Sequence, residues 1–302
     1  MLQLSLLLAL AFGADPLGPG DHTRSLEVDK RLRNYGIHVP KQYDGSAPAP
    51  VVLVFHGGGG NAAQMARYCG LNDKADEEGF LAVYPNGTGR LGKLLSFNGG
   101  NCCGYATNNN VDDVAFTRAV LDDVERNFNV DKHRVFATGI SNGAIMVYLL
   151  ASERSDRIAA IAPVSGPMGT EDCHPLQPVS VIHFHGLSDE FAPFEGGKGA
   201  RGISREDSYS VEHSIKAWVT ADQCRTKSVI EKLPVTVEDG TSVTRETYPG
   251  GKDGSEVVLI EIDGGGHTWP GRDPPLKFFG KSTKNISAND LMWEFFKRHA
   301  RK

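Results

Sequence analysis

A serine lies between two glycines where a short apolar run ends and a helix-like stretch begins. The segment reads Gly139-Ile140-Ser141-Asn142-Gly143. Glycines on both sides let the strand and the helix come close and let the turn between them adopt strained dihedrals. The serine hydroxyl is then raised above the sheet, where the first amides of the helix face developing negative charge. We therefore expect Ser141 to be a nucleophile and the Asn142 N–H to donate to an oxyanion. The alternative is a glycine-rich strand-to-helix turn without chemistry.

A serine needs a base to act as a nucleophile, and that base needs an acid to orient it. In parallel sheets with this chemistry the acid and then the histidine follow the serine, each in a loop after a later strand. The strand-like run SVIHFHG is followed by Asp189, and the strand-like run VVLIEID is followed by His267. The order predicts that Asp189 is the acid and His267 is the base. Glu190 and Asp263 remain alternatives for the acid.

The run HGGGG, residues 56–60, ends an early strand and offers backbone amides to a ligand. A glycine there can aim its N–H at a substrate oxygen without steric cost. We expect the Gly58 N–H to complete an oxyanion hole with the Asn142 N–H, although the exact glycine is open by one position. We expect His56 to brace the loop. The run lacks the spacing of the phosphate-binding patterns GxxxxGK[ST] and GxGxxG, which argues against nucleotide binding.

Strand-like and helix-like segments alternate along the chain. The strand-like segments are HTRSLEVD, RNYGIHVP, APAPVVLVFHGGGG, FLAVYPNG, HRVFATG, AAIAPVSG, SVIHFHG and EVVLIEIDGGG. Helical patterns lie at about residues 62–78, 111–129, 141–152, 210–221 and 288–299. The alternation predicts an α/β protein with right-handed crossovers and a mostly parallel sheet that has helices on both faces.

Two further features of the chain concern its organisation. We expect a single domain over residues 20–302, with the glycine-rich and irregular residues 190–255 forming an insertion over one end of the sheet, at the active site. His183 and His185 alternate on one strand, so they share a face, and they precede the acid loop. They are therefore expected to be packed or hydrogen-bonded core histidines rather than the base.

Composition narrows the class of protein and its partners. The chain has 302 residues, is 40% hydrophobic and carries a formal charge of −5 without a basic block, which argues against nucleic acid or an anionic membrane as partner. Residues 1–14 form an apolar run that is too short to span a bilayer and resembles a signal peptide, so we expect secretion. The alternatives are a buried first strand or a misplaced start codon. No other stretch could cross a membrane, and the sequence does not indicate an oligomeric state.

Five cysteines are present: Cys69, Cys102, Cys103, Cys173 and Cys224. Export would permit disulfides. Cys102 and Cys103 are not expected to pair with each other, because the Cβ vectors of neighbouring residues usually diverge. Cys173 and Cys224 are the plausible partners and Cys69 is left over, although sequence does not determine the connectivity. The absence of CxxC and HxxxH spacings argues against a metal site.

Taken together, several motifs resemble one known group of proteins. The motifs are HGGGG, GFLAVYPNG, NCCGYATNNNVDDVAF, RVFATGISNGAIM, IAPVSG, HFHGLSDEFAPFEGG and DGGGHTWPG. They resemble the polyhydroxybutyrate depolymerase-like esterases, which are close to the feruloyl and acetyl-xylan esterases of the first carbohydrate-esterase family. The resemblance covers nearly all of the expected mature chain. DGGGHTWPG is the most specific motif, because the triad chemistry does not require its tryptophan and proline.

The resemblance implies an α/β-hydrolase fold and ester hydrolysis without a cofactor. It implies Ser141 as nucleophile, Asp189 as acid and His267 as base. It also implies that the loop of Cys102 and Cys103, and Trp269, lie beside the substrate pocket. Asp112 and Asp113 match an acidic pair of the group, which we interpret as helix-start and loop-bracing residues.

The expected substrate is a small or oligomeric ester, either a short-chain hydroxyalkanoate oligomer or a feruloyl or acetyl ester of plant polysaccharide. Aromatic side chains could hold an acyl or phenolic group, and Phe191 is favoured because it lies just past Asp189, whereas Phe97 and Phe194 are further candidates. Cys103 and Trp269 are the other expected substrate contacts. The alternatives are a serine peptidase of the same fold and a non-catalytic binding protein that retains the fold.

Overall fold

A ten-stranded sheet runs through the part of the chain that the computed structural model describes, residues 17–202 and 207–302. Its strand order is β1-β2-β4-β3-β5-β6-β7-β10-β9-β8. The strands are β1 (Gly20–Val28), β2 (Arg31–Val39), β3 (Ala49–Phe55), β4 (Leu81–Pro85), β5 (Val130–Ile140), β6 (Ala160–Val164), β7 (Ser180–Gly186), β8 (Val229–Lys232), β9 (Ser242–Tyr248) and β10 (Val257–Asp263). The expected signal peptide, residues 1–14, lies outside the described residues.

The centre of the sheet is parallel and both of its edges are antiparallel. Strands β4, β3, β5, β6, β7 and β10 pair in parallel. The hairpin β1–β2 and strands β9 and β8 add antiparallel pairs at the two edges. The predicted mostly parallel sheet is confirmed. The carboxyl ends of β5, β7 and β10 meet at one edge, where ligands bind in open α/β sheets.

Helices cover both faces of the parallel centre of the sheet, so the side chains of its strands are buried. The helices are α1 (Ala62–Cys69), α2 (Leu71–Glu78), α3 (Gly104–Asn108), α4 (Asp113–Asn127), α5 (Asn142–Glu153), α6 (Val211–Ala221) and α7 (Ala288–Arg298). Val51, Leu53 and Phe55 of β3 pack in one core with residues of α4, α5 and α6. Val52 and Val54 face the other way and pack with residues of α1, α2 and α7. This alternation explains the continuous apolar run of β3.

Two segments differ from their prediction. Residues 62–78 form two helices instead of one, because Gly70 adopts φ 67° and ends α1. Within the expected irregular insertion, residues 190–255, the predicted helix at 210–221 is present as α6, but β8 and β9 were not predicted, and these two strands extend the sheet at its edge. Strand β8 is exposed along its whole length, so it lacks the apolar alternation that marks a strand in sequence.

Among the described residues, no helix combines the length and the apolar character needed to cross a membrane.

Candidate active site

Ser141 occupies a strained turn between β5 and α5. Its backbone dihedrals are φ 58° and ψ −124°, a region that residues other than glycine rarely adopt. The Ser141 N–H donates to Val164 O at 2.9 Å, which ties the turn to the end of β6. A Cβ atom on Gly143 would lie 2.6 Å from His56 O, so the turn needs glycine at this position. The serine therefore lies at the carboxyl edge of the sheet, as the sequence predicted, at the N-terminus of a buried helix.

Asp189 and His267 form a buried hydrogen-bonded pair. Asp189 Oδ2 accepts from His267 Nδ1 at 2.7 Å, and both residues are almost fully buried. Asp189 Oδ1 accepts from the N–H groups of Phe191 and Ala192 at 2.8 and 2.9 Å. Burial acts to raise the pKa of Asp189, but its interactions with His267, with His185 and with the Ala192 N–H together outweigh burial and lower that pKa. The ionised carboxylate holds the proton of His267 on Nδ1 and leaves Nε2 as the free base.

The loops that carry this pair approach each other because β7 and β10 are neighbours. The N–H groups of Leu187 and Ser188 donate to Ile262 O and Gly265 O, each at 2.9 Å. A Cβ atom on Gly186, at the end of β7, would lie 2.5 Å from Gly266 O. The glycine at position 186 therefore permits the close contact that brings the acid and the histidine together.

Ser165 connects the turn of Ser141 with the loop of His267. It follows β6, adopts φ 51° and is buried. Its hydroxyl donates to Thr268 O at 3.5 Å, while the preceding residue, Val164, accepts from the Ser141 N–H. The hydrogen bonds of the described residues thus join His267 to Asp189 and leave the Ser141 hydroxyl without a partner in this conformation. The segment AAIAPVSG was predicted as a strand and contains a motif of the family resemblance, but no role was predicted for Ser165.

Backbone hydrogen bonds within the glycine loop show which of its N–H groups remain available for an oxyanion hole. Gly59 N donates to Leu95 O at 2.7 Å and Gly60 N donates to Gly57 O at 3.1 Å. These two N–H groups are therefore engaged, which leaves Gly57 and Gly58. Asn142 is the first residue of α5, so its N–H has no acceptor within the helix. The structure is compatible with the predicted pair of Gly58 and Asn142, and it excludes the later glycines of the run.

His56 braces this glycine loop, as predicted. Its Nε2 accepts from Gly87 N at 3.0 Å, and its Nδ1 lies 2.8 Å from Gly57 O. Because Nε2 accepts, Nδ1 carries the proton and donates to the carbonyl. Burial lowers the pKa of His56 to about 4, so the ring is neutral. The neutral ring fixes the carbonyl side of Gly57 and orients the peptide that carries the Gly58 N–H.

The Asn142 side chain holds the loop that contains the paired cysteines. Its Oδ1 accepts from Phe97 N at 2.8 Å and its Nδ2 donates to Phe97 O at 2.9 Å. Nδ2 also lies 4.0 Å from Cys102 Sγ. The loop of Cys102 and Cys103 therefore lies next to the expected oxyanion residue. Phe97 itself is fully buried and does not face a ligand.

The expectation about cysteine pairing is wrong for this structure. The structure places the sulfur atoms of Cys102 and Cys103 in contact with each other. Cys69, Cys173 and Cys224 are buried and free. The expected bonds from this loop to Cys173 and Cys224 are therefore absent from the described residues.

Trp269 was expected beside the pocket, but the structure places it in the core. Its side chain is fully buried. Its Nε1 donates to Asn289 Oδ1 of α7 at 2.8 Å, and its backbone N–H donates to the hydroxyl of Tyr68 at 2.8 Å. A helix that is distant in sequence thus covers the indole ring. Trp269 is therefore a core residue next to the His267 loop, and its side chain is not accessible to a substrate.

Three phenylalanines pack together next to the candidate base, and we call them the aromatic rim: Phe191, Phe278 and Phe279. Phe191 and Phe279 lie next to the His267 ring, and Phe278 packs against both of them. The Phe191 ring lies 5.1 Å from the His267 ring and 6.0 Å from the Phe278 ring. Phe278 is 48% exposed. Phe191 was predicted from the sequence as a substrate contact. Phe278 and Phe279 were not predicted, although the run PPLKFFG carries two adjacent aromatic residues.

Backbone and side-chain bonds hold the aromatic rim at the histidine. Phe279 O accepts from His267 N at 2.7 Å. Arg201 Nε lies 2.6 Å from Glu190 Oε2, and Arg201 Nη1 donates to Phe278 O at 3.2 Å. The guanidinium therefore links the acid loop to the segment that carries the two missed phenylalanines. The aromatic rim is part of the site's framework and not a loose surface loop.

Other predicted residues have structural roles. Asp112 accepts from Ala115 N and caps α4. Asp113 is buried, and it accepts from Arg33 Nη2 at 2.6 Å and from Asn98 N at 2.8 Å. The helix-start and loop-bracing roles are confirmed. Among the described residues, no cluster of three or more histidine, cysteine or acidic side chains could hold a metal ion.

Known proteins resemble this chain in sequence. A family model described as Esterase PHB depolymerase matches residues 34–225. A putative esterase, NocK, from Nocardia uniformis subsp. tsuyamanensis is 32% identical, over 90% of this chain and 81% of its own length. Feruloyl esterase B from Piromyces equi is 27% identical over 76% of this chain, which spans 42% of that relative's length.

A solved structure also has the same architecture. The acetyl xylan esterase from Aspergillus awamori superposes with a TM-score of 0.60 at 14% identity, over 91% of this chain and 99% of the other. At that identity the likeness concerns the fold alone, which is the α/β-hydrolase fold. The match of the family model extends from β2 to the end of α6 and includes both Ser141 and Asp189. The chain belongs to the Esterase PHB depolymerase family, a family of carboxylic ester hydrolases.

Proposed function

We propose that the chain hydrolyses carboxylic esters through an acyl-enzyme on Ser141, with His267 as base and Asp189 as the acid that orients it. The observation that supports this most strongly is the 2.7 Å bond between Asp189 Oδ2 and His267 Nδ1 at the sheet edge where Ser141 occupies its strained turn. The family's description as an esterase agrees with the proposal. We further propose that residues 20–302 act as one catalytic domain.

The first half of the reaction forms the acyl-enzyme. His267 Nε2 takes the proton of the Ser141 hydroxyl as the oxygen attacks the ester carbonyl. The negative charge that develops on the carbonyl oxygen is held by the N–H groups of Asn142 and Gly58. His267 then passes the proton to the departing alcohol. Asp189 keeps the proton of His267 on Nδ1 throughout, because its carboxylate accepts from that atom.

The second half releases the acid. Water attacks the acyl carbon while His267 Nε2 accepts its proton, and the same amides hold the tetrahedral charge. Ser141 leaves with the proton that His267 returns. Each step uses groups of this chain alone, and loss of one oxyanion donor is expected to cost about 3 kcal/mol of transition-state stabilisation.

We propose that soluble esters with an aromatic acyl group, such as feruloyl esters, are the preferred substrates, ahead of acetyl esters and hydroxyalkanoate oligomers. The aromatic rim supports this order, because the ring of Phe191 lies beside His267 and the exposed ring of Phe278 packs against Phe191. An aromatic acyl group can stack on such rings and gain about 0.5–1.5 kcal/mol beyond the area that it buries. Of the expected contacts, Phe191 is retained. We propose that Cys103 lies in a loop next to the substrate pocket. The support is that its neighbour Cys102 lies next to Asn142, the expected oxyanion residue.

The test of the mechanism compares three variants with 4-nitrophenyl acetate. Ser141→Ala and His267→Ala should abolish turnover, and Asp189→Asn should lower kcat by about 10⁴-fold because the imidazole loses its oriented tautomer. Glu190→Gln is the matched control, because Glu190 was the alternative acid: its exposed carboxylate pairs with Arg201 and not with His267, so kcat for this ester, which has no aromatic acyl group, should change little. Turnover at the wild-type rate in folded Ser141→Ala would refute the proposal.

The test of the substrate class compares Phe278→Ala with Leu276→Ala, an exposed apolar residue of the same loop. Phe278→Ala should lower kcat/KM for methyl ferulate by about 2- to 10-fold and leave 4-nitrophenyl acetate unchanged, since only the aromatic acyl group stacks. Leu276→Ala should change neither. Equal effects of both variants on both esters would contradict an aromatic subsite.

We propose that the protein is exported and that residues 1–14 direct export. The support is the apolar run that ends in small residues. The test is amino-terminal sequencing of protein recovered from outside the cytoplasm of the producing cell. A mature chain that begins within about ten residues of position 14 supports export, and an intact Met1 on the recovered protein contradicts it.

A further inference from the structure

A buried row of three polar side chains runs from the helix of the nucleophile to the loop of the acid. We call it the imidazole row: Tyr148, His183 and His185. Tyr148 OH lies 2.9 Å from His183 Nδ1, and His183 Nε2 lies 3.0 Å from His185 Nδ1. His185 Nε2 lies 2.8 Å from Ala192 O and 3.7 Å from Asp189 Oδ2. All three side chains are fully buried.

The contacts determine where each proton of the row lies. A carbonyl oxygen only accepts, so the hydrogen bond to Ala192 O requires the proton on His185 Nε2. Burial lowers the pKa of both histidines, so each neutral ring carries one proton. His185 Nδ1 therefore accepts from His183 Nε2, and His183 Nδ1 accepts from the Tyr148 hydroxyl. Every hydrogen bond of the row points from Tyr148 towards the acid loop.

The end of the row touches the peptide that holds Asp189. Ala192 accepts from His185 through its carbonyl, and its N–H donates to Asp189 Oδ1 at 2.9 Å. Ala192 therefore accepts the last hydrogen bond of the row with its carbonyl oxygen and donates a hydrogen bond to the acid with its N–H. The other end of the row, Tyr148, lies on α5, the helix that begins next to Ser141. A connected set of hydrogen bonds therefore joins the helix of the nucleophile with the loop of the acid.

We propose that the imidazole row is a positioning element that sets the Asp189 loop and, through it, the orientation of His267. The row touches neither substrate nor reacting atoms. It fixes Ala192 O from inside the core, and it places the donor N–H of His185 near Asp189 Oδ2 without adding a charge. This inference rests on the proposed roles of Asp189 and His267.

A purely structural role makes a different prediction. If the row only fills the core, its loss should lower stability and leave kcat of the folded protein unchanged. Phe184 is the matched control, because it is a fully buried residue of the same strand whose side chain packs in the opposite core. Phe184→Leu should therefore reduce stability without changing kcat.

The experiment compares His185→Leu with His185→Gln in the full-length protein. Leucine removes both hydrogen bonds, whereas the glutamine amide keeps a donor near the position of Nε2. His185→Leu should lower kcat for 4-nitrophenyl acetate by about 10- to 100-fold, the cost of a misplaced catalytic group. KM should stay within about twofold, since no substrate contact changes. His185→Gln should recover most of the loss.

A second readout does not depend on turnover. The proton between His267 Nδ1 and Asp189 gives a low-field signal in the proton NMR spectrum that His267→Ala should remove. The signal should broaden or vanish in His185→Leu and persist in His185→Gln and in Phe184→Leu. Tyr148→Phe, which keeps the ring and loses one donor, should broaden it partially and carries the test if His185→Leu does not fold.

The outcomes separate the two proposals. An unchanged low-field signal together with unchanged kcat in the folded row variants overturns the positioning role and leaves the esterase mechanism intact. Equal losses in His185→Gln, His185→Leu and Phe184→Leu also overturn it, because general destabilisation then explains them. The wild-type protein could show no ester turnover while its low-field signal still changes in the row variants. That result would refute the esterase mechanism and support the positioning role.

Discussion

Asp222 offers a prediction whose size follows directly from the structure. Asp222 follows the last residue of α6, and its carboxyl group is fully buried and accepts a single hydrogen bond, from Val179 N at 3.1 Å. Its second oxygen has no hydrogen-bond partner among the described residues. Burial raises the pKa of Asp222 to about 7, against the smaller lowering effect of the Val179 N–H. An aspartate in the unfolded chain titrates near pH 4, at about 3.9.

The sign of the effect follows from proton binding. Between about pH 4 and about pH 7 the folded protein holds a proton on Asp222 that the unfolded chain has released, so the free energy of unfolding falls as pH rises. Over about three pH units, at about 1.4 kcal/mol per unit, the loss is about 4 kcal/mol. Asp222→Asn keeps the acceptor for Val179 and stays neutral. Its free energy of unfolding relative to wild type should therefore rise by about 4 kcal/mol between about pH 4 and about pH 8.

The assay is urea unfolding of both proteins across this pH range. Comparing the two curves cancels every other titrating group. Asp172→Asn is the control, because it makes the same change at an exposed carboxylate. Parallel curves for Asp222→Asn and wild type would refute the reasoning, because they would mean that the buried carboxyl is solvated or paired.

Three further substitutions test the framework of the site. Gly143→Ala brings a Cβ atom to within 2.6 Å of His56 O, so it should displace the turn of Ser141 and lower kcat by about 100-fold in steady-state assays; kcat within twofold of wild type would contradict this. Arg33→Leu leaves the buried carboxylate of Asp113 without its 2.6 Å partner and should cost about 3–5 kcal/mol in urea unfolding, whereas a loss below about 1 kcal/mol would mean that the pair adds little. Ser165→Ala removes the hydrogen bond to Thr268 O and should lower kcat by about 2- to 10-fold in the same kinetic assay, with stability reduced by about 1 kcal/mol. Unchanged kcat in that variant would show that the hydroxyl does not hold the His267 loop.

Much of the fold and the central part of the site could be predicted because their signals are local. Strand β3 is a continuous apolar run between proline and glycine, and the turn at Ser141 combines glycines with the start of an apolar helix. Loops after β7 and β10 follow strands that the sequence already marks, so the positions of Asp189 and His267 at one sheet edge follow from parallel topology.

The remainder depends on contacts between distant segments. Trp269 is buried because α7, and Asn289 in particular, covers it, and no local pattern encodes that contact. Phe278 reaches the site because Arg201 and the backbone of His267 hold its loop. Strand β8 is exposed and lacks alternation, so only its pairing with β9 identifies it as a strand.

Cysteine pairing was missed for a different reason. The expectation for Cys102 and Cys103 assumed the usual diverging Cβ vectors of neighbours. The structure instead brings their two sulfur atoms into contact, an arrangement that residue types alone do not determine.

The most direct measurement is the stoichiometry and position of labelling by a fluorophosphonate ester, followed by mass spectrometry of the peptides. Our account predicts one equivalent of label, on the peptide that contains Ser141, with labelling strongly slowed in His267→Ala. A protein that stays unlabelled, or that carries the label on another residue at the wild-type rate, would contradict the assignment of Ser141 as a nucleophile activated by His267.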